Sequence, residues 1–256
     1  MYSILRFWFA FALSLGLMAG CSDENGEGGS GGSAGTGGEG GTGGVETVSV
    51  SFVITGFDPV GGLTAPLEGA EICETDTDNC VMTDADGAAT LQAPLNQETS
   101  VTVEKEGYQS ELLAALLSDE PPVYTNGLGT VERYESLHGL VGSPYPMEGT
   151  GDIIASWASL GPFPGATLDL NDATAVGFYY DEEGNWDADL MATTTYALGP
   201  KGGFSEVSPG VVQVEFGGTA EGCVPLTGWP GDVDNSVRLP VRAGYSSEFV
   251  VSCDAP

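Results

Sequence analysis

A mainly β chain is predicted, with two small antiparallel β-sandwich domains joined by a short helical connector behind a disordered glycine-rich tether. Three observations carry this. From residue 45 onward, short runs of alternating apolar and polar residues are separated by turn signals about every eight to twelve residues, as in antiparallel sandwiches. Between residues 123 and 150 the apolar period changes once, from that of a strand to that of a helix. From Asn25 to Gly44 the chain reads NGEGGSGGSAGTGGEGGTGG, which has no apolar surface to bury and stays a coil.

The segments fall in order as 1–20, 21–44, 45–122, 123–150 and 151–256. The first opens with Met1 and Arg6, runs through FWFAFALSLGLMA and ends in Ala19 and Gly20 before Cys21. An apolar run of about 13 residues is too short to span a hydrocarbon core of about 30 Å, so it reads as the core of a signal peptide. Leu17, Ala19, Gly20 and Cys21 resemble the lipobox of bacterial lipoproteins. That resemblance implies cleavage before Cys21 and acylation of its thiol. Several acyl chains would then anchor the protein stably, at about 0.8 kcal/mol per buried methylene. Ser22, which is not Asp, implies by the same resemblance an outer-membrane location. The glycine run of 21–44 resembles those of myxobacterial lipoproteins and would allow an r.m.s. span of about 25 Å.

Charge narrows the partners. With 37 Asp and Glu against six Lys and Arg, the formal charge is −31. Nucleic acid is excluded as a partner, because counterion release needs clustered Lys and Arg. An acidic surface also repels anionic headgroups, so membrane contact is expected through the lipid anchor alone. The five cysteines leave Cys21 as the odd one. The others fall as Cys73 with Cys80 and Cys223 with Cys253, each pair inside one expected sandwich and suited to an oxidising compartment, other pairings staying open.

In 45–122, Val48, Val50, Phe52 and Ile54 alternate with polar residues. Apolar pairs then recur at Ala70 and Ile72, Val81 and Met82, Ala89 and Leu91, and Val101 and Val103, with the turn TDADG between. A Cys73–Cys80 bridge would close a hairpin around ETDTDN. The runs PLEGAEIC, TDADGAATLQAPL and SVTVEKEGY resemble the carboxypeptidase regulatory-like domain, a small transthyretin-like sandwich, over about 60 residues. Pro66, Leu67, Gly69, Ala70, Thr83, Asp84, Asp86, Gly87, Gly107 and Tyr108 match its pattern. The resemblance implies a scaffold and no catalysis, since that domain is an accessory one.

In the connector, Val131, Tyr134, Leu137 and Val141 lie at helical spacing, with Thr130 to cap the start and Gly142 to end it. The same face carries His138, the chain's one histidine. From Gly151 alternation resumes in DIIASWASL, PGATLDL and AVGFYYDEEGNWDADL, where EEGN should turn a hairpin, and continues in GGFSEVSPGVVQVEF, SVRLPVRAG and EFVVSC. GPFPGATLDL and GGFSEVSPGVVQVEF parallel PLEGAEIC and GAATLQAPLNQETSVTVEK in order, so 151–256 looks like a second, divergent copy. A Cys223–Cys253 bridge would tie a Gly- and Pro-rich loop containing Trp229 to the last strand.

Catalytic patterns find no support. One histidine cannot supply H-E-x-x-H, and no G-x-S-x-G elbow is present. Asp76, Asp78, Asp84, Asp86, Asp232 and Asp234 do not fit an EF-hand loop and read as turn residues, with a weak irregular Ca²⁺ site between loops as the second reading and no other cofactor expected. Aromatic residues cluster in 151–256, and Tyr179, Trp186 and Trp229 are those expected outside, where rings serve as platforms for sugars or protein anchors. The expectation is a non-catalytic, lipid-anchored envelope lipoprotein that presents a domain or binds an envelope protein. The alternative is a carbohydrate-binding or accessory module serving a separate hydrolase.

Overall fold

The computed structural model describes residues 45–57, 64–158, 163–196 and 201–253. In chain order come β1 (Thr47–Phe57), β2 (Thr64–Pro66), β3 (Glu71–Glu74), β4 (Cys80–Met82), β5 (Ala88–Pro94), β6 (Glu98–Glu104), β7 (Glu111–Leu116) and β8 (Tyr124–Gly129). Helix α1 (Val131–Val141) follows. Then come β9 (Gly151–Ala158), β10 (Ala166–Leu170), β11 (Val176–Tyr180), β12 (Trp186–Asp187) and β13 (Lys201–Val207). The chain closes with β14 (Gly210–Gly218), β15 (Val224–Pro225), β16 (Trp229–Pro230), β17 (Ser236–Val241) and β18 (Ser246–Ser252). The mainly β expectation is met.

The alternation in β1 buries Val50, Phe52 and Ile54, which pack with Leu67, Leu91 and Val103 in the core of the first half. Helix α1 starts and stops where its capping residues stand. The Thr130 side chain accepts the Arg133 backbone N–H, and Gly142 takes a left-handed φ of 75° with its N–H on the His138 carbonyl. The hairpin expected at EEGN is present but short, with Tyr180 opposite Trp186.

The two halves repeat one set of pairings. β1 pairs antiparallel with β5 and parallel with β8, and β9 pairs antiparallel with β13 and parallel with β18. Likewise β6 lies antiparallel between β3 and β7, as β14 lies between β10 and β17. A shared clasp deepens the likeness. Buried Thr83 accepts the Ala70 backbone N–H at 2.8 Å and donates its hydroxyl to the Leu67 carbonyl. Buried Thr193 accepts the Ala166 N–H at 3.0 Å and donates to the Phe163 carbonyl at 2.7 Å. In each clasp the intervening glycine, Gly69 or Gly165, has a positive φ, 69° and 88°, that lets the chain double back.

Two expectations need correction. Residues 124–129, read as connector, form β8 and pair with β1. Their sequence YTNGLG hides this because glycine weakens a strand signal. Nor do the halves stand apart. Strands β7 and β18 pair in parallel, from Ser246 opposite Glu111 to Glu248 opposite Leu113, and join both halves in one ten-stranded sheet. The described residues after Gly43 accordingly make one compact unit.

The clasp threonines should matter equally. Thr83→Val and Thr193→Val each strand a buried N–H and a buried carbonyl, at a cost of about 1–3 kcal/mol. Thermal denaturation should register a loss of about 2–4 °C per kcal/mol for a chain of this size. The two changes share no partner and should add.

Candidate functional site

Cys21 lies outside the described residues. Cys73 and Cys80 are bonded across the β3–β4 hairpin, where they are register partners, and Cys223 is bonded to Cys253. Both expected disulfides are therefore formed.

Tyr179 and Trp186 are not exposed, contrary to the expectation: they are 7% and 2% accessible. Strand β11 is covered on both faces, so alternation there separates two buried sides and not a wet side from a dry one. Phe178 and Tyr180 face α1, and Trp186, opposite Tyr180, stacks on Phe178 with ring centroids 3.9 Å apart and meets Tyr134 edge-on. Tyr179 points the other way, its ring over Gly202 and its hydroxyl oxygen accepting the Leu168 backbone N–H at 2.7 Å.

Trp229 is half-buried. Its indole N–H donates to the Thr99 carbonyl at 3.1 Å, which fixes the ring against β6 of the other half. The loop that carries it is tied at several points. Val224 and Pro225 pair with the end of β18, the Leu226 N–H donates to Val250, and the Gly228 N–H donates to Ala114 at 2.7 Å. Gly228 has a φ of 91°, and a Cβ there would overlap the Val237 side chain, so only glycine lets the loop lie this close. Between this loop and the segment after β7 opens a groove of about 250 Å³, walled by Trp229, Tyr124, Pro121, Pro122, Leu226 and Leu116. Leu226 and Leu116 are exposed at 54% and 49%. Nothing in the sequence pattern joins Tyr124 to Trp229, which lie in different halves.

A second constellation lies under α1 and was not foreseen. Glu111, Ser246 and Asp152 occupy one row across β7, β18 and β9, in register and each 0% accessible. Asn126 donates its side-chain N–H to one oxygen of Glu111, and His138 Nε2 lies 2.9 Å from Asp152 Oδ2. Burial, with Glu248 nearby, pushes the Glu111 carboxyl well above its ordinary pKa. Burial also raises Asp152, against the opposing pull of His138. Ser, His and Asp thus come together, but with His138 only 1% accessible no substrate reaches them.

The TDADG loop is a turn closed by Asp84. Asp84 Oδ1 accepts the backbone N–H groups of Asp86 and Ala88, and Asp76 lies 3.4 Å from the Arg242 guanidinium. Among the described residues, the one close trio of metal-type donors is Glu71 with Cys73 and Cys80, whose sulfurs are spent in the disulfide.

No family model matches the chain, and no curated protein matches it. Among solved structures it is similar to the Bacillus anthracis TIE protein, at 15% identity and a TM-score of 0.25, over 80% of this chain and 34% of that one. The chain thus spans about a third of the TIE protein. It is also similar to the shaft pilin SpaA of Lactobacillus rhamnosus GG, at 12% identity and a TM-score of 0.24, over 82% of this chain and 99% of that one. A third is the family CBM26 module of Eubacterium rectale Amy13K, solved with maltoheptaose, at 11% identity and a TM-score of 0.24, over 81% and 98%. TM-scores this low do not define a common fold.

Replacing Cys223 and Cys253 together by serine should cost about 3–4 kcal/mol for a loop of 30 residues, in the chain-entropy account. Trp157 and Trp186 are buried, so acrylamide quenching of the native variant should rise chiefly through Trp229.

Proposed function

We propose that this chain is a non-catalytic, lipid-anchored module of the bacterial cell envelope, built from two tandem copies of one sandwich, that holds a protein partner in the groove beside Trp229. The groove carries the reading. Its walls are proline, leucine and aromatic rings, and Trp229 is already locked by its hydrogen bond to Thr99, so it offers a preformed apolar face at low entropic cost. The repeated pairings and the two threonine clasps support descent of both halves from one sandwich pattern. The lipobox-like run ending at Cys21 supports the anchor, as does the acidic balance, which leaves the folded surface little affinity for anionic lipid. Among the described residues no helix is long and apolar enough to cross a membrane.

The carbohydrate reading stands second, on the two aromatic side chains, Tyr124 and Trp229, that share the groove. A protein partner is favoured because sugars need several convergent polar groups, and the side chains on these walls are alanine, leucine, proline and aromatic rings with Ser118 beside them.

A photo-crosslinker at Leu226 in intact cells should capture an envelope protein, with at least about tenfold less product in Trp229→Ala, as for a lost anchor worth about 1.4 kcal/mol or more. The same crosslinker at exposed Glu221 should capture none. A Trp229-dependent signal on envelope glycans, with no protein captured, would move the reading to carbohydrate. Separately, the mature wild type should begin at an acylated Cys21 by intact mass and partition into detergent, and Cys21→Ser should not. A water-soluble wild type cleaved elsewhere would remove the anchor.

A further inference from the structure

Among the described residues, the indole N–H groups of Trp157 and Trp186 and four other side-chain atoms are buried without a hydrogen-bond partner, and those four are Glu111 Oε1, Ser246 Oγ, Asp152 Oδ1 and His138 Nδ1. Such orphans are rare in folded proteins, and these four gather along one row and the histidine beside it. Ser246 stands in register between Glu111 and Asp152, all three on one face of the sheet and all three inaccessible. The place is the β7–β18 pairing, three residue pairs long, that joins the two halves.

An ionised carboxylate only accepts hydrogen bonds, whereas a protonated one also donates. With both acids ionised, the row sets two desolvated negative charges on either side of a hydroxyl that can donate only once. With one proton added, a carboxyl O–H can donate to Ser246 Oγ, whose own hydrogen goes to the other carboxylate. We propose that Glu111, Ser246 and Asp152 form a proton-operated latch on the seam between the halves, closed when the acids share a proton and loosened when both are ionised.

The groups facing the latch set its sense. From β18, half-buried Glu248 adds negative charge, and burial raises its own carboxyl despite Lys201. From β13, Lys201 is the one ammonium there; burial works against it, but Glu248, Tyr180 and Glu111 outweigh burial and keep its pKa above the ordinary value. From α1, Tyr134 lies neutral beside Glu111 with its hydroxyl toward Ser246, and His138 holds one oxygen of Asp152. Tyr145, with Glu135 nearby, approaches from the loop after α1 and donates to Gln109, and from β8 Asn126 holds the other oxygen of Glu111. One ammonium thus faces three carboxyls, so protons are needed to balance the cluster. A carboxyl raised in the folded state contributes stability that is complete below its unfolded pKa and is lost as pH rises through its folded pKa. The latch therefore tightens as pH falls and slackens as pH rises.

The test uses the full-length chain. Amide exchange at Leu112, Leu113, Ser247 and Glu248, corrected for intrinsic rates, should show protection falling about tenfold or more from pH 5 to pH 8. Glu111→Gln, which cannot ionise, should flatten that dependence, while exposed Glu221→Gln should leave it intact. Ser246→Ala should lower protection at pH 5 and leave it unchanged at pH 8, a split that a packing role would not give. Should Glu111→Gln fail to fold, carboxyl carbon NMR of the wild type decides: one of Glu111 and Asp152 should titrate above the usual carboxylate range. Ordinary titration of both, or an unchanged pH dependence in Glu111→Gln, overturns the proposal.

Discussion

The pairing of β7 with β18 is the contact on which the rest of the molecule depends. Through it, strands from both halves share one sheet. Backbone pairing alone would be a weak joint over three residue pairs. Around it α1 seals one face through Tyr134, Leu137 and His138, and the Trp229 loop straps the seam by the Gly228–Ala114 and Trp229–Thr99 hydrogen bonds. The seam is thus held by packing on one side and by a strap on the other.

The groove beside Trp229 follows from that strap. Cys253 follows the strand that pairs with β15, Cys223 begins the loop, and their bond closes a 30-residue excursion. Gly228 brings the backbone against β17, and Pro225 and Pro230 flank it with residues that lack an N–H to donate. Apolar side chains remain at the surface because the chain turns sharply around them and buries its backbone polar groups elsewhere.

Local features were legible. Helix α1 could be read from Thr130, the spacing of Tyr134 and Leu137, and Gly142, because caps and periodicity act within a few residues. Both disulfides could be read as candidate pairs, the shorter because Cys73 and Cys80 flank a turn. The threonine clasps underlie the parallel that the sequence shows between LEGA and FPGA. The burial of Tyr179 and Trp186 was not legible, since alternation names faces without saying what covers them. Strand β8 was missed because two of its six residues are glycine.

By itself, the sequence determined the strand-rich class, the helix and its ends, and the acidic balance, and it left the pairing of the four later cysteines to the fold. The first three depend on composition or on neighbours a few residues apart, where propensity and periodicity act. Tertiary structure alone decided that Glu111, Ser246 and Asp152 form one row and that Tyr124 meets Trp229, partners separated by roughly a hundred residues or more. Such meetings come from strand order and from a parallel pairing between halves, and strand order leaves no periodic trace in the chain.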